Sequence, residues 1–115
     1  MKAQYIIDAE LKIREWALSR GFKEAHEMFR HEVPFGTMSI YTTDGNSPDI
    51  MFCCDFKLGD GYRTRAAKSQ PIWLVNHVTD VNGWFMEIFS SMFLEYINVL
   101  LNGSTDKSIQ PTNDY

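Results

Sequence analysis

The chain is poor in cysteine. Its two thiols, Cys53 and Cys54, are neighbours in the sequence. They cannot staple a small fold in the way that the spaced pairs of secreted domains do, and they point to a reducing, cytoplasmic setting. Basic charge is scarce too. Eleven Lys and Arg stand against fifteen Asp and Glu, a net charge of −4. That balance offers nucleic acid no general attraction and leans instead toward a basic partner. The segment "MKAQYIIDAELKIREW" holds no apolar run of signal-peptide length, because Asp8, Glu10, Lys12 and Arg14 interrupt it. Residues 81–101 are long enough to cross a bilayer, but Glu87, Glu95 and Asn98 lie within them and speak against a membrane span.

Catalytic signatures are absent as well. There is no nucleophile elbow, no phosphate-binding glycine loop and no dinucleotide fingerprint, and no motif asks for a cofactor. "HEMFRHE", residues 26–32, invites a metal reading. The zinc-protease pattern needs a second His four residues after the first, and Arg30 stands there. His31 comes five residues after His26, which on a helix turns the two rings about 140° apart. His77 is distant, so no metal site is expected. Nor is an enzyme built on Cys53, His26, His31 or His77, although that remains a third-ranked reading.

What is present suffices for a core. Hydrophobic residues make up 44% of the 115 and aromatics 14%, enough for one domain without metal or disulfide staples. Residues 1–103 read as a single α+β domain and residues 104–115 as a polar, flexible tail. The expected fold is an antiparallel meander of three to four strands, with N-terminal and C-terminal helices packed on one face. Tyr5, Ala9, Ile13 and Trp16 recur at helical spacing, flanked by Ile7, Leu11 and Leu18, so a helix is expected over residues 2–20. Gly21 is placed to end it in the left-handed conformation. A short helical segment carrying Phe22, Ala25, Met28 and Phe29 is expected next, stopping before Pro34.

Strands follow. Met38, Ile40 and Thr42 alternate with Thr37, Ser39 and Tyr41, and "TDGNSP" is a turn by composition. In the next run Ile50, Phe52, Cys54, Phe56 and Leu58 share one face, and Met51, Cys53, Asp55 and Lys57 the other. The adjacent thiols therefore point in opposite directions. A three-residue loop, Gly59-Asp60-Gly61, pairs Leu58 with Tyr62, Lys57 with Arg63, Phe56 with Thr64 and Asp55 with Arg65. "IWLVNHV" after Pro71 reads as a fourth strand. Thr79 or Asp80 then caps a last helix that runs to about Leu101.

That helix is apolar over well over half its circumference. Trp84, Phe85, Ile88, Phe89, Met92, Phe93, Tyr96, Ile97, Val99 and Leu100 all contribute, where a surface helix needs a stripe of about 100°. Either the domain encloses it, or a second chain shares it. "YRTRAAK", residues 62–68, together with Lys57 forms the one concentrated basic feature, with Tyr62 and Tyr41 as nearby aromatic surface. It is either a grip on phosphate, RNA or an acidic protein, or a solvated face on which Arg65 pairs with Asp55. The order helix, three strands, helix is also that of double-stranded RNA-binding domains. Here the last helix opens with "TDVNGWFMEIF", which has no Lys or Arg, so that comparison fails.

The expectation is a non-catalytic protein that binds another protein, in the manner of inhibitors, immunity proteins, anti-defence proteins or chaperones. Its interaction candidates are Tyr41, Lys57, Arg63, Arg65, Trp73, Trp84, Phe93 and Tyr96. The second expectation is a homodimeric scaffold or regulator joined through the C-terminal helix. Neither a nucleic acid nor a membrane is the expected partner.

Overall fold

A computed structural model of the chain describes residues 2–59, 62–102 and 109–111. Helix α1 (Gln4–Ser19) is followed by β1 (Lys23–Ala25), β2 (Met28–Val33), β3 (Gly36–Thr42), β4 (Asp49–Gly59) and β5 (Tyr62–Pro71). A 3-10 helix (Ile72–Asn76) leads into α2 (Val81–Asn102), and a three-residue β6 (Ile109–Pro111) comes last. The strands lie side by side in chain order, each antiparallel to the next. Five of them form the meander, one or two more than the sequence suggested, and β6 adds a short pairing to β5. Both helices contribute to a single core against one face of the sheet, giving an α+β fold.

Helix α1 buries Ile6, Ala9, Ile13, Trp16 and Ala17. Tyr5, expected within this stripe, is exposed, and Ile6 takes its place. The helix ends as Gly21 allows. With φ +89°, its N–H donates to the Leu18 carbonyl at 3.3 Å, and the Phe22 N–H donates back to Ala17 at 3.0 Å. These are the two bonds of a Schellman cap, and a side chain at Gly21 would be strained there. The cap drops Phe22 into the core, 5.6 Å from the Trp16 ring.

The short helix expected after Gly21 is instead a hairpin. Ala25 pairs with Met28 across a two-residue turn, His26-Glu27, and both turn residues have positive φ, 52° and 64°. That is the geometry of a type I′ turn, whose twist matches the flanking strands. In β2, Phe29, His31 and Val33 then alternate with exposed Arg30 and Glu32. The helical spacing of Phe22, Ala25, Met28 and Phe29 is incidental: Phe22 serves the cap, and Phe29 sits opposite Ile40 in the sheet.

On β4 the alternation holds from Ile50 to Lys57. Ile50, Phe52, Cys54 and Phe56 are buried, while Met51, Cys53 and Asp55 face the other way and are half-buried. A fully buried Ile or Phe contributes about 1.5–3 kcal/mol, so this strand anchors the core. Pairing with β5 sets Lys57 against Arg63, Phe56 against Thr64 and Asp55 against Arg65, as the face argument requires. Nearer the turn a bulge shifts the register, and Gly59 rather than Leu58 opposes Tyr62. Asp60, Gly61 and most of the tail lie outside the described residues.

"IWLVN" is not a strand. β5 already occupies residues 62–71, and after Pro71 the chain coils into the 3-10 helix. Ile72 and Val75, three residues apart, fall on one side of a three-per-turn helix and are buried. Asp80 caps α2 by accepting from the Gly83 N–H at 2.9 Å. Asn82, in the first turn of α2, accepts from Trp16 Nε1 at 2.8 Å and so ties the end of α1 to the start of α2.

Candidate interaction surface

The eight candidate residues divide between the two sides of the sheet. Tyr41, Lys57, Arg63 and Arg65 stand on the face opposite the helices, by their register with Met51, Cys53 and Asp55. Trp84, Phe93 and Tyr96 belong to α2, and Trp73 to the 3-10 helix. They do not form one patch.

On the uncovered sheet face, Asp55 accepts from Arg63 at 3.2 Å and lies 3.5 Å from Arg65 Nη2. One carboxylate thus draws on both guanidinium groups, and the cross-strand pair expected for Arg65 is present. Beside it, Cys53 lies next to the side chains of Tyr41 and Ser39. Burial pushes its thiol up, only partly opposed by these polar neighbours and by Arg65. Burial, together with the neighbouring thiol, also raises the Tyr41 phenol. Cys54, on the core side, is pushed up to about 12 by burial, with smaller contributions from Cys53 and Glu95. A reactive thiol needs the opposite shift. Neither cysteine is therefore poised as a nucleophile.

The histidines are separated. His26 stands in the β1–β2 turn, and His31 packs on Phe22 with Nδ1 3.1 Å from the Gly21 carbonyl oxygen. His77 meets Trp73 edge-on, 5.6 Å between ring centres. Among the described residues no cluster of three His, Cys, Asp or Glu side chains is arranged to hold a metal ion.

The α2 aromatics carry a different message. Tyr96 is buried, stacked on Phe56 at 4.4 Å, with its hydroxyl donating to the Lys57 carbonyl at 2.9 Å. Trp84 is half-buried against Phe85. Phe93 sits at the margin of this cluster, 5.3 Å from Phe35, and is 37% exposed. Beyond it the helix is apolar and uncovered. Met86, Phe93 and Leu100 form one row at seven-residue spacing, and Leu94 and Leu101 form the next, 65% and 79% exposed. Seven residues are nearly two helical turns, so each row runs along the helix for roughly 10 Å per step. Phe85, Ile88, Phe89, Met92, Tyr96 and Val99 are buried on a face that adjoins the first row and lies opposite the second. The domain therefore encloses only one of the two apolar faces.

Met86, Leu94 and Leu101 were not among the sequence candidates. The repeat of seven was the signal that could have found them. Sequence position also assigns the charge around the ridge. Glu87 falls in line with Leu94 and Leu101, Glu95 lies further round, and residues 81–102 contain no Lys or Arg. Comparison with protein-family models, with curated proteins and with solved structures finds no match.

Proposed function

We propose that this is a non-catalytic binding protein that acts by docking α2 against another protein, in the manner of an inhibitor, an immunity or anti-defence protein, or a chaperone. The exposed apolar ridge of Met86, Phe93, Leu94, Leu100 and Leu101 carries the reading. Contiguous exposed apolar surface on a small domain marks a contact site far more often than scattered residues do. Its bordering charge is acidic, so the partner is one whose apolar groove has a basic rim. The free thiols support a reducing, cytoplasmic setting. By length and composition α2 also qualifies as a membrane-crossing helix. Its second face, however, is committed to the sheet, and its acidic border is unsuited to anionic lipid.

A homodimer through the same ridge is the second reading, favoured by the two apolar rows at seven-residue spacing. It is the weaker of the two, because two copies of α2 bring only Glu87 and Glu95 as ionisable carboxylates and no basic group to meet them. Light scattering over a range of concentrations separates them. The protein-binding reading expects a single-chain mass, and a stoichiometric partner retained from the native host by the wild type but lost by Leu94→Glu/Leu101→Glu. Twice the chain mass, reduced to one by that variant, would establish the homodimer. Vesicle binding that this variant abolishes would replace both.

A further inference from the structure

We infer that the groove between α1 and the β1–β2 turn binds a basic, apolar-spaced segment of a partner protein. The inference deepens the protein-binding reading and rests on it for the nature of the ligand, but it concerns a surface separate from the α2 ridge. The groove has a volume of about 790 Å³. It continues into a second hollow of about 560 Å³ beside the β3–β4 loop, the two sharing Lys2, Glu10 and residues 42–44. Either volume is of the size that takes a drug-sized molecule. End to end they suit an extended run of several residues.

The lining sets the chemistry. Ile7 and Leu11 of α1 are exposed, and half-buried Met28 and Phe29 of β2 line the same groove, which supplies its apolar part. Of the three basic side chains that line the groove, Lys2, Arg14 and His26, the two that carry a fixed charge are already engaged. Lys2 pairs with Glu10 at 2.9 Å, and Arg14 pairs with Glu24. Glu27 and Asp44 line the same groove, are exposed, and are joined by no ion pair among the described residues. The charge left unmatched is therefore negative, at the sheet side of a groove whose surface is part apolar and part polar. A Lys or Arg with apolar neighbours satisfies both features, whereas a phosphate-bearing ligand satisfies neither. The backbone at Glu27 is that of the type I′ turn, with φ +64°.

The test uses the ¹⁵N-labelled full chain titrated with the peptide acetyl-Leu-Lys-Leu-Arg-Leu-amide, with its Glu-for-Lys/Arg counterpart and with arginine amide. Saturable amide shifts at Leu11, Glu27, Phe29 and Asp44 are expected with the basic peptide alone. Glu27→Gln/Asp44→Asn should weaken its binding about fivefold, the scale of two exposed charge pairs. Shifts confined to other surfaces would overturn the inference, as would equal binding of the acidic peptide or an unchanged affinity in the double variant. Arginine amide binding as tightly as the peptide would also overturn it, by reducing the site to a small-cation site. The Leu94→Ser/Leu101→Ser chain should bind the basic peptide normally, so failure here leaves the α2 reading standing and failure of the ridge leaves this one.

Discussion

Replacing Met92 by Ala and, separately, Leu94 by Ser sets the two faces of α2 against each other. Met92 is fully buried. Truncating a buried Met, Leu or Ile to Ala costs about 2–5 kcal/mol, the transfer of the lost atoms plus the cavity left behind. A domain of this size has on the order of 5–15 kcal/mol in total, so Met92→Ala should remove about 3 kcal/mol and lower Tm by roughly 10 °C. Leu94 is 65% exposed. Its replacement by Ser sacrifices little packing, and the loss should stay under about 1 kcal/mol, most of it the weaker helix propensity of Ser. Urea unfolding followed by the fluorescence of Trp16, Trp73 and Trp84 measures both. If Leu94→Ser proved as costly as Met92→Ala at every protein concentration, the outer ridge would be internal packing. The docking argument would then collapse. A cost that appears only at high protein concentration would instead report self-association.

Two further changes probe the scaffold. Gly36 is buried opposite Phe56, and an added Cβ would lie 2.2 Å from the Asp55 carbonyl oxygen. Gly36→Ala should therefore cost about 1–3 kcal/mol through strand displacement, read as a lower urea midpoint; a neutral result would mean that β3 and β4 separate freely. The Cys54 thiol gives a pH signature. Its proton, ordinarily lost near 9.0, is retained in the fold to about 12. Below pH 9 the contribution is complete. Between pH 9 and 12 the unfolded chain releases the proton and the folded chain keeps it, so stability falls by up to about 1.4 kcal/mol per pH unit. The stability advantage of the wild type over Cys54→Ala should accordingly shrink from pH 8 to pH 10. An unchanged difference would refute the cause assigned to the shift.

Legibility in the sequence followed the strength of the local signal. The α1 stripe, the Gly21 stop and the β4 alternation each rest on one periodicity with nothing competing. From Lys57 inward the β4–β5 register followed because a one-residue slip would have mixed apolar and charged faces, whereas the expected pairing of Leu58 with Tyr62 gave way to the bulge. The β1–β2 hairpin was hidden for a physical reason. Its turn is His26-Glu27, without the Asn or Gly that ordinarily signals positive φ. Its apolar residues also happened to fall at helical intervals. "IWLVN" misled similarly, since Ile72 and Val75 are themselves β-branched, which suggests a strand, while their spacing of three suits a 3-10 turn. The α2 flank was half visible. The excess of apolar residues was plain, but which of them the sheet would cover depended on packing. Tyr96, chosen as a contact residue, belongs to the buried cluster, while Leu94 and Leu101 stand outside it. The groove along α1 could not be read at all, because one wall is the unforeseen hairpin.

The chain-order arrangement of the strands has a kinetic consequence. The meander strands are joined by connections of two to six residues, so each new pairing closes only a small loop at little entropic cost. The bond from Trp16 to Asn82 spans 66 residues and must wait until both helices exist and have been brought together. Assembly would then proceed strand by strand, with the clasp between helices as the final event. On this account Trp16→Phe would hasten unfolding while leaving the refolding rate nearly untouched.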